Sequence, residues 1–143
     1  MPDSPHHPQT GPELRITIGR LARRIRSQRG PDDLSDPQAS VLFALDVKGP
    51  LTLGALSEHE RVTPPSMNRT VNGLEAAGLV TRAASPDDGR KVVIDATEAG
   101  HALVADIRRR RDAWLAQRIA ALTPEQRAIL AAAEPVLREL AEQ

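Results

Sequence analysis

Apolar residues recur at helical spacing along most of this chain, and one short stretch alternates instead. Leu14, Ile18, Leu21 and Ile25 stand at i, i+4, i+7 and i+11, one apolar stripe with arginines around it, which predicts a helix over residues 13–29. Gly30 and Pro31 end it. Ser35 and Gln38 have capping-box spacing, Pro37 is tolerated in a first turn, and Val41, Leu42 and Leu45 form the inner side of a second helix ending near Gly49. An extended piece over residues 51–53 leads, through Thr52 as N-cap, into a short helix at 53–60 with Leu56 inward. After a turn at Arg61 and Val62, Thr63 caps a helix that begins with Pro64, buries Met67, Val71 and Leu74, and stops at Gly78.

Residues 79–84 and 91–96 are strand-like and flank the loop Ser85, Pro86, Asp87, Asp88, Gly89, Arg90, which predicts a β-hairpin. Thr97 caps a long helix reaching about residue 121, with Leu103, Ile107, Trp114, Leu115 and Ile119 as contact residues. Thr123 and Gln126 repeat the capping-box spacing before a last helix. There Leu130, Ala133, Leu137 and Leu140 make a coiled-coil-like seam, and Pro135 predicts a kink. Residues 1–12, interrupted by Pro2, Pro5, Pro8 and Pro12, read as a flexible arm. The fold class expected is mainly α with a small β-hairpin.

Composition narrows the function. At 143 residues the chain is expected to form one compact core, or a small reading head attached to a helical frame, with one domain the first expectation. No stretch is apolar enough to span a membrane and the N-terminus has no leader pattern, so a cytoplasmic protein without a membrane partner is expected. The absence of cysteine excludes disulfides, thiolate metal sites and thiol nucleophiles. Lys and Arg together number 19 and so do Asp and Glu, a balance that by itself argues against a nucleic-acid partner. The distribution is uneven, however: Arg15, Arg20, Arg23, Arg24, Arg26 and Arg29 form an acid-free stretch, and residues 108–111 are all arginine. That second run fits a solvated face, a set of intersubunit ion pairs or a phosphate-contacting surface. Lys48 and Lys91 are the only lysines, a bias that suits bidentate phosphate and guanine contacts and equally fits a GC-rich genome. No enzyme, cofactor or metal is expected. There is no phosphate-cradling glycine loop, His59 and His101 are isolated along the chain, and the consecutive Glu58, His59 and Glu60 point in different directions on a helix. Trp114 and Phe43, the only aromatic residues, read as core or interface.

Two helices joined by a tight turn, the second strongly capped and followed by an Arg-bearing hairpin, form a winged helix-turn-helix layout. In it the second helix enters the major groove and the hairpin tip reaches flanking phosphates or the minor groove. With Met67, Val71 and Leu74 inward, the outer face offers Pro65, Ser66, Asn68, Arg69 and Asn72. Arg reads guanine through O6 and N7, Asn reads adenine through N6 and N7, and Ser adapts to either role. Asp88, Arg90 and Lys91 form the wing set, with the Asp88 carboxylate expected to hold the Arg90 guanidinium outward. Thr63 and Arg61 are candidate phosphate contacts. An ordinary solvated helix face and a turn-shaping surface ion pair are the competing readings.

The run LSEHERVTPPSMNRTVNGLEAAGLVTR resembles the helix-turn-helix of MarR-type transcriptional regulators, and SPDDGRKVVIDATEAG resembles their wing. The resemblance covers residues 35–100 in motif and the whole chain in helix order. It implies a homodimer built from the first and last helices and a palindromic double-stranded operator. It also implies action as a repressor and release by a small aromatic or anionic effector. On that basis residues 13–34 are a dimerisation helix and linker, 35–97 the winged helix-turn-helix region, and 98–143 the C-terminal dimerisation helices. The alternative is an architectural or protein-interaction winged-helix module that reads no sequence. This chain departs from the family pattern in three respects. Arg61 stands where glycine is usual. Asp95 and Ala96 replace basic and leucine residues of the wing strand, which predicts a loosely packed underside. Residues 51–97 are slightly acidic overall.

Overall fold

A computed structural model describes residues 10–28, 30 and 34–143. The chain divides into two compact units, one of residues 29–109 and one combining residues 1–28 with 110–143.

The unit of residues 29–109 carries the hairpin. Helix α2 (Asp36–Lys48) opens on the predicted capping box, where the Ser35 side chain accepts from the Gln38 N–H and Gln38 Oε1 accepts from the Ser35 N–H at 3.0 Å. It ends at Gly49, whose φ of 80° suits a residue without a Cβ. Strand β1 (Leu51–Thr52) runs straight into helix α3 (Leu53–Glu60), because Thr52 Oγ1 accepts from the Ala55 N–H at 3.0 Å. Helix α4 (Pro64–Ala76) follows, with Thr63 as cap and Pro64 in the first turn, where its missing N–H has no carbonyl to lose.

Strands β2 (Val80–Ala84) and β3 (Val92–Ala96) form the predicted antiparallel hairpin in the register Val80 to Ala96 through Ala84 to Val92. The 51–53 piece is more than a connector. β1 pairs with the other edge of β3, Leu51 opposite Ile94 and Thr52 opposite Val93, giving a three-stranded sheet of order β1-β3-β2. The core gathers Val41, Leu42, Leu45, Leu56, Met67, Val71, Leu74, Leu79, Val80, Ile94, Ala96 and Val104. Ile94 and Ala96 are thus covered, and the underside of the wing strand, expected to be loosely packed, belongs to the core.

Helix α5 (Glu98–Ala120) is locked to the hairpin by Thr97, whose hydroxyl donates to the Gly78 carbonyl at 2.7 Å and accepts from the Gly100 N–H at 3.1 Å. Its fully buried apolar residue in this unit is Val104, beside the half-buried Leu103 named by the sequence pattern. Asp46 of α2 joins that helix to α5, with His101 Nδ1 2.7 Å from one carboxylate oxygen and Arg108 Nη1 2.7 Å from the other. The Arg108 guanidinium also lies 5.1 Å from the centre of the Phe43 ring. His101, isolated in sequence, is therefore paired in space, and the first arginine of the basic run is an internal tie.

The His101 hydrogen bond is the largest influence holding the Asp46 carboxyl below its ordinary value. Burial opposes it, and Arg108 adds a hydrogen bond and its charge. A carboxylate depressed in the folded state contributes stability that is present above the unfolded pKa and lost as pH falls through the folded one. Asp46→Asn is therefore expected to lower the urea midpoint at pH 7. The difference from wild type should shrink as pH drops below about 4, which a urea titration series across that range checks.

In the second unit, helix α1 (Thr10–Arg26) starts three residues before the predicted boundary, since Pro12 falls in a first turn where an N–H has no intrahelical partner. The expected flexible arm otherwise lies outside the described residues. Ser27 and Gln28 end α1 by donating from their side chains to the Arg24 carbonyl. Leu14, Ile18 and Leu21 form the predicted stripe and are all exposed in the single chain. Trp114 lies between Arg24 and Arg118, at 5.1 and 4.4 Å from ring centre to guanidinium. Helix α6 (Pro124–Glu142) opens on the predicted Thr123/Gln126 capping box and continues through Pro135, and Leu130 and Leu140 of its seam are exposed. No helix among the described residues is long and apolar enough to cross a membrane.

Candidate nucleic-acid interface

The site is built around α4. A helix turns about 100° per residue, so with Met67, Val71 and Leu74 buried the side chains projecting opposite them are Pro65, Arg69, Asn72 and Ala76. Ser66 falls on one flank and Asn68 on the other. The Ser66 flank faces the start of α2, where Ser35, Pro37, Gln38, Ser66, Arg69 and Thr70 line an open groove. Gly73 permits this approach, since a Cβ there would lie 2.5 Å from Gln38 Nε2. Thr63 Oγ1 accepts from the Ser66 N–H at 3.4 Å and lies 3.2 Å from Ser66 Oγ, so both predicted hydroxyls are held at the start of the helix.

The opposite flank is not free. Arg82, on β2, donates to the side-chain oxygens of both Asn68 and Asn72 and lies 3.7 Å from Glu75. Asn68 and Asn72 are exposed, but their oxygens already have a donor. Sequence reasoning missed this, because only the folded register of β2 brings Arg82 to α4. Arg69, by contrast, makes no hydrogen bond or ion pair among the described residues.

The wing differs from expectation in one contact. Asp88 Oδ1 accepts from the backbone N–H of Arg90 at 3.0 Å, and no ion pair joins the Asp88 carboxylate to the Arg90 guanidinium. An aspartate two residues ahead of an N–H at a turn closes a local ring more readily than it reaches a long side chain. Asp88 thus shapes the loop, together with the Lys91 N–H to Asp88 carbonyl bond at 3.0 Å, and leaves the exposed Arg90 side chain without a partner among the described residues. Arg90 and Lys91 stand beside a groove completed by Thr52, Gly54, Ala55 and Glu58 of the neighbouring helix start.

Arg61 closes α3 in the left-handed region, at φ 54° and ψ 44°, the one non-glycine residue with positive φ among those described. Holding a residue with a Cβ there costs about 1 kcal/mol. Arg61→Gly is therefore expected to raise stability by about that amount, read as a higher urea midpoint at unchanged m. If the guanidinium binds phosphate, the same variant loses DNA affinity and about one unit of salt slope.

Comparison with known proteins agrees with this geometry. The MarR family model matches residues 32–91. An uncharacterized HTH-type transcriptional regulator of Mycobacterium bovis is 39% identical over 131 residues, 92% of each chain. An HTH-type transcriptional repressor of the same organism is 32% identical over 118 residues, 80% of this chain and 84% of its own. A protein of Pseudomonas aeruginosa with a known crystal structure superposes with a TM-score of 0.84 at 30% identity, over 98% of this chain and 99% of its own. The chain belongs to the MarR family of HTH-type transcriptional regulators.

Proposed function

We propose that the chain is a homodimeric, sequence-specific repressor that binds a twofold-symmetric operator and is released by a small aromatic or anionic effector. The observation that carries the reading is Arg69, a guanidinium opposite the buried stripe of α4 with no partner among the described residues, together with Arg90 on the adjoining hairpin, which likewise has none among them. Pro65, Ser66, Asn68, Arg69 and Asn72 form the groove-facing surface, Asp88, Arg90 and Lys91 the wing, and Thr63 and Arg61 the flanking phosphate contacts. The apolar residues Leu14, Ile18, Leu21, Leu130 and Leu140 of α1 and α6 support a dimer, since the described residues of one chain leave them exposed to water. The relative named as a repressor supports that direction of control. The effector is supported by family membership alone.

The test is recovery and sequencing of genomic DNA bound by the protein, followed by affinity and salt titrations on the preferred site. Arg69→Ala is expected to weaken specific binding by about 1–3 kcal/mol and relax preference at one position per half-site. Arg90→Ala is expected to weaken binding on all sequences and reduce the salt slope by about one. Unchanged affinity and slope in both variants would reject this surface. Binding that random duplex competes away would favour the architectural module, which the near-balanced charge of residues 51–97 otherwise suits. Sedimentation at micromolar concentration checks the dimer, and a folded monomer would count against it.

A further inference from the structure

Nothing in the helix-turn-helix motif marks Arg82, yet its guanidinium ties the wing to the helix beside it. Nη1 donates to Asn68 Oδ1 at 2.9 Å, and Nη2 donates to the Asn68 carbonyl at 3.3 Å and to Asn72 Oδ1. Nε stands 3.7 Å from a Glu75 oxygen. Every nitrogen of the group is therefore turned toward α4, and the side chain is only 22% exposed.

A guanidinium has donors and no acceptor, which fixes the orientation of both amides. Turning either asparagine over would set its NH₂ against the NH₂ of Arg82. The oxygens are therefore held toward β2, and the amide donors are what each asparagine has left to offer elsewhere. An unconstrained asparagine reads adenine by accepting from N6 while donating to N7, and that pairing needs the oxygen. The oxygen keeps a second lone pair, but with it turned toward β2 only the N–H donors are directed away from Arg82.

We propose that Arg82 is a specificity-positioning residue: by holding the side-chain oxygens of Asn68 and Asn72 it makes both amides donors, which read guanine O6 or thymine O4 instead of pairing with adenine through its N6 amine. This rests on α4 being the groove-reading helix proposed above. Arg82 itself touches no base. Its fourteen- and ten-residue separations from the two asparagines explain why a linear motif does not reveal it. The expectation that Asn68 and Asn72 recognise adenine bidentately is replaced by this one.

Asparagine-to-aspartate variants test the proposal with little risk to folding, because each keeps an oxygen for Arg82 and exchanges only the outward NH₂ for an oxygen. Selection from a randomised duplex library would be run on the full-length wild type, Asn68→Asp, Asn72→Asp, Arg82→Met and Arg69→Ala. Wild type is expected to select guanine or thymine at the contacted bases. One or both aspartate variants should shift one position per half-site to cytosine or adenine, by roughly five- to tenfold relative to the other bases, with the remaining positions unchanged. Arg82→Met should admit adenine at those same positions, a change that mere loss of stability would not produce.

The proposal is overturned if both aspartate variants keep every wild-type preference. It is also overturned if wild type selects an adenine at an asparagine-dependent position and replacing that base by purine, which lacks the N6 amine, weakens binding about tenfold. Should Arg82→Met not fold, the aspartate variants decide alone. Should wild type select no site over random duplex, the operator reading fails and this inference with it. Should Arg69→Ala alter a selected site while the aspartate variants do not, only the role of Arg82 is lost.

Discussion

Replacing Gly100 by alanine is expected to destabilise the unit of residues 29–109 by about 3 kcal/mol, and to lower its thermal midpoint by roughly 12–24 °C. On helix propensity alone the change should help, since alanine is favoured over glycine inside a helix by about 1 kcal/mol. The neighbours decide otherwise. A Cβ on Gly100 would lie 2.3 Å from the Leu79 carbonyl oxygen and 3.2 Å from Leu42 Cδ1. The first of these is backbone, and it already accepts the Thr97 N–H at 3.0 Å. Relief would require α5 to back away from the start of the hairpin, breaking that bond and loosening the Thr97 hydroxyl between Gly78 and Gly100. Thermal unfolding of wild type and Gly100→Ala measures the effect. An unchanged or raised midpoint would show that the helix yields without cost.

Met67→Ala is the second large effect, an expected loss of about 3 kcal/mol within the range for emptying a buried methionine site. Met67 is 1% exposed and lies on the inner face of α4, among the residues that seat this helix on the core. Met67→Leu, which nearly conserves volume, should cost less than about 1.5 kcal/mol. Because domains of this size have only about 5–15 kcal/mol of stability, the alanine variant should be partly unfolded when warm. Operator affinity is expected to return close to wild type at a temperature where the variant is folded, since the outward side chains of α4 are unchanged. Urea midpoints with constant m, together with DNA titrations at two temperatures, separate loss of folding from loss of contact.

The parts of the structure that were legible in the sequence are those whose causes are local. Ser35, Thr52, Thr63, Thr97 and Thr123 each satisfy N–H groups within three residues, so a cap and its helix are written side by side. The stripe Met67, Val71, Leu74 is likewise a property of one helix. What escaped was set by partners far along the chain. Leu51 and Thr52 are too short to show alternation, and only Val93 and Ile94 make them a strand. Gly100 looks like a tolerated helix glycine until the Leu79 carbonyl is placed against it. Asp46 meets its two partners across 55 and 62 residues, and Arg82 meets α4 only after the hairpin folds back. In the candidate site, periodicity identified the outward face of α4. It could not tell which polar groups on that face were already engaged.

One consequence follows from Thr52 being both the end of β1 and the cap of α3. The sheet and the helices share that residue, and Arg82 ties the other edge of the sheet to α4, so hairpin and helices cannot shift independently. Compliance is left to the loop of residues 85–91 and to the long side chains of Arg90 and Lys91. In the proposed complex, a duplex whose curvature or groove width does not suit this unit must then deform itself. The energy of that deformation depends on whether the steps involved are stiff A-tracts or easily kinked pyrimidine–purine steps. Base pairs that no side chain touches would in this way contribute to the choice of site.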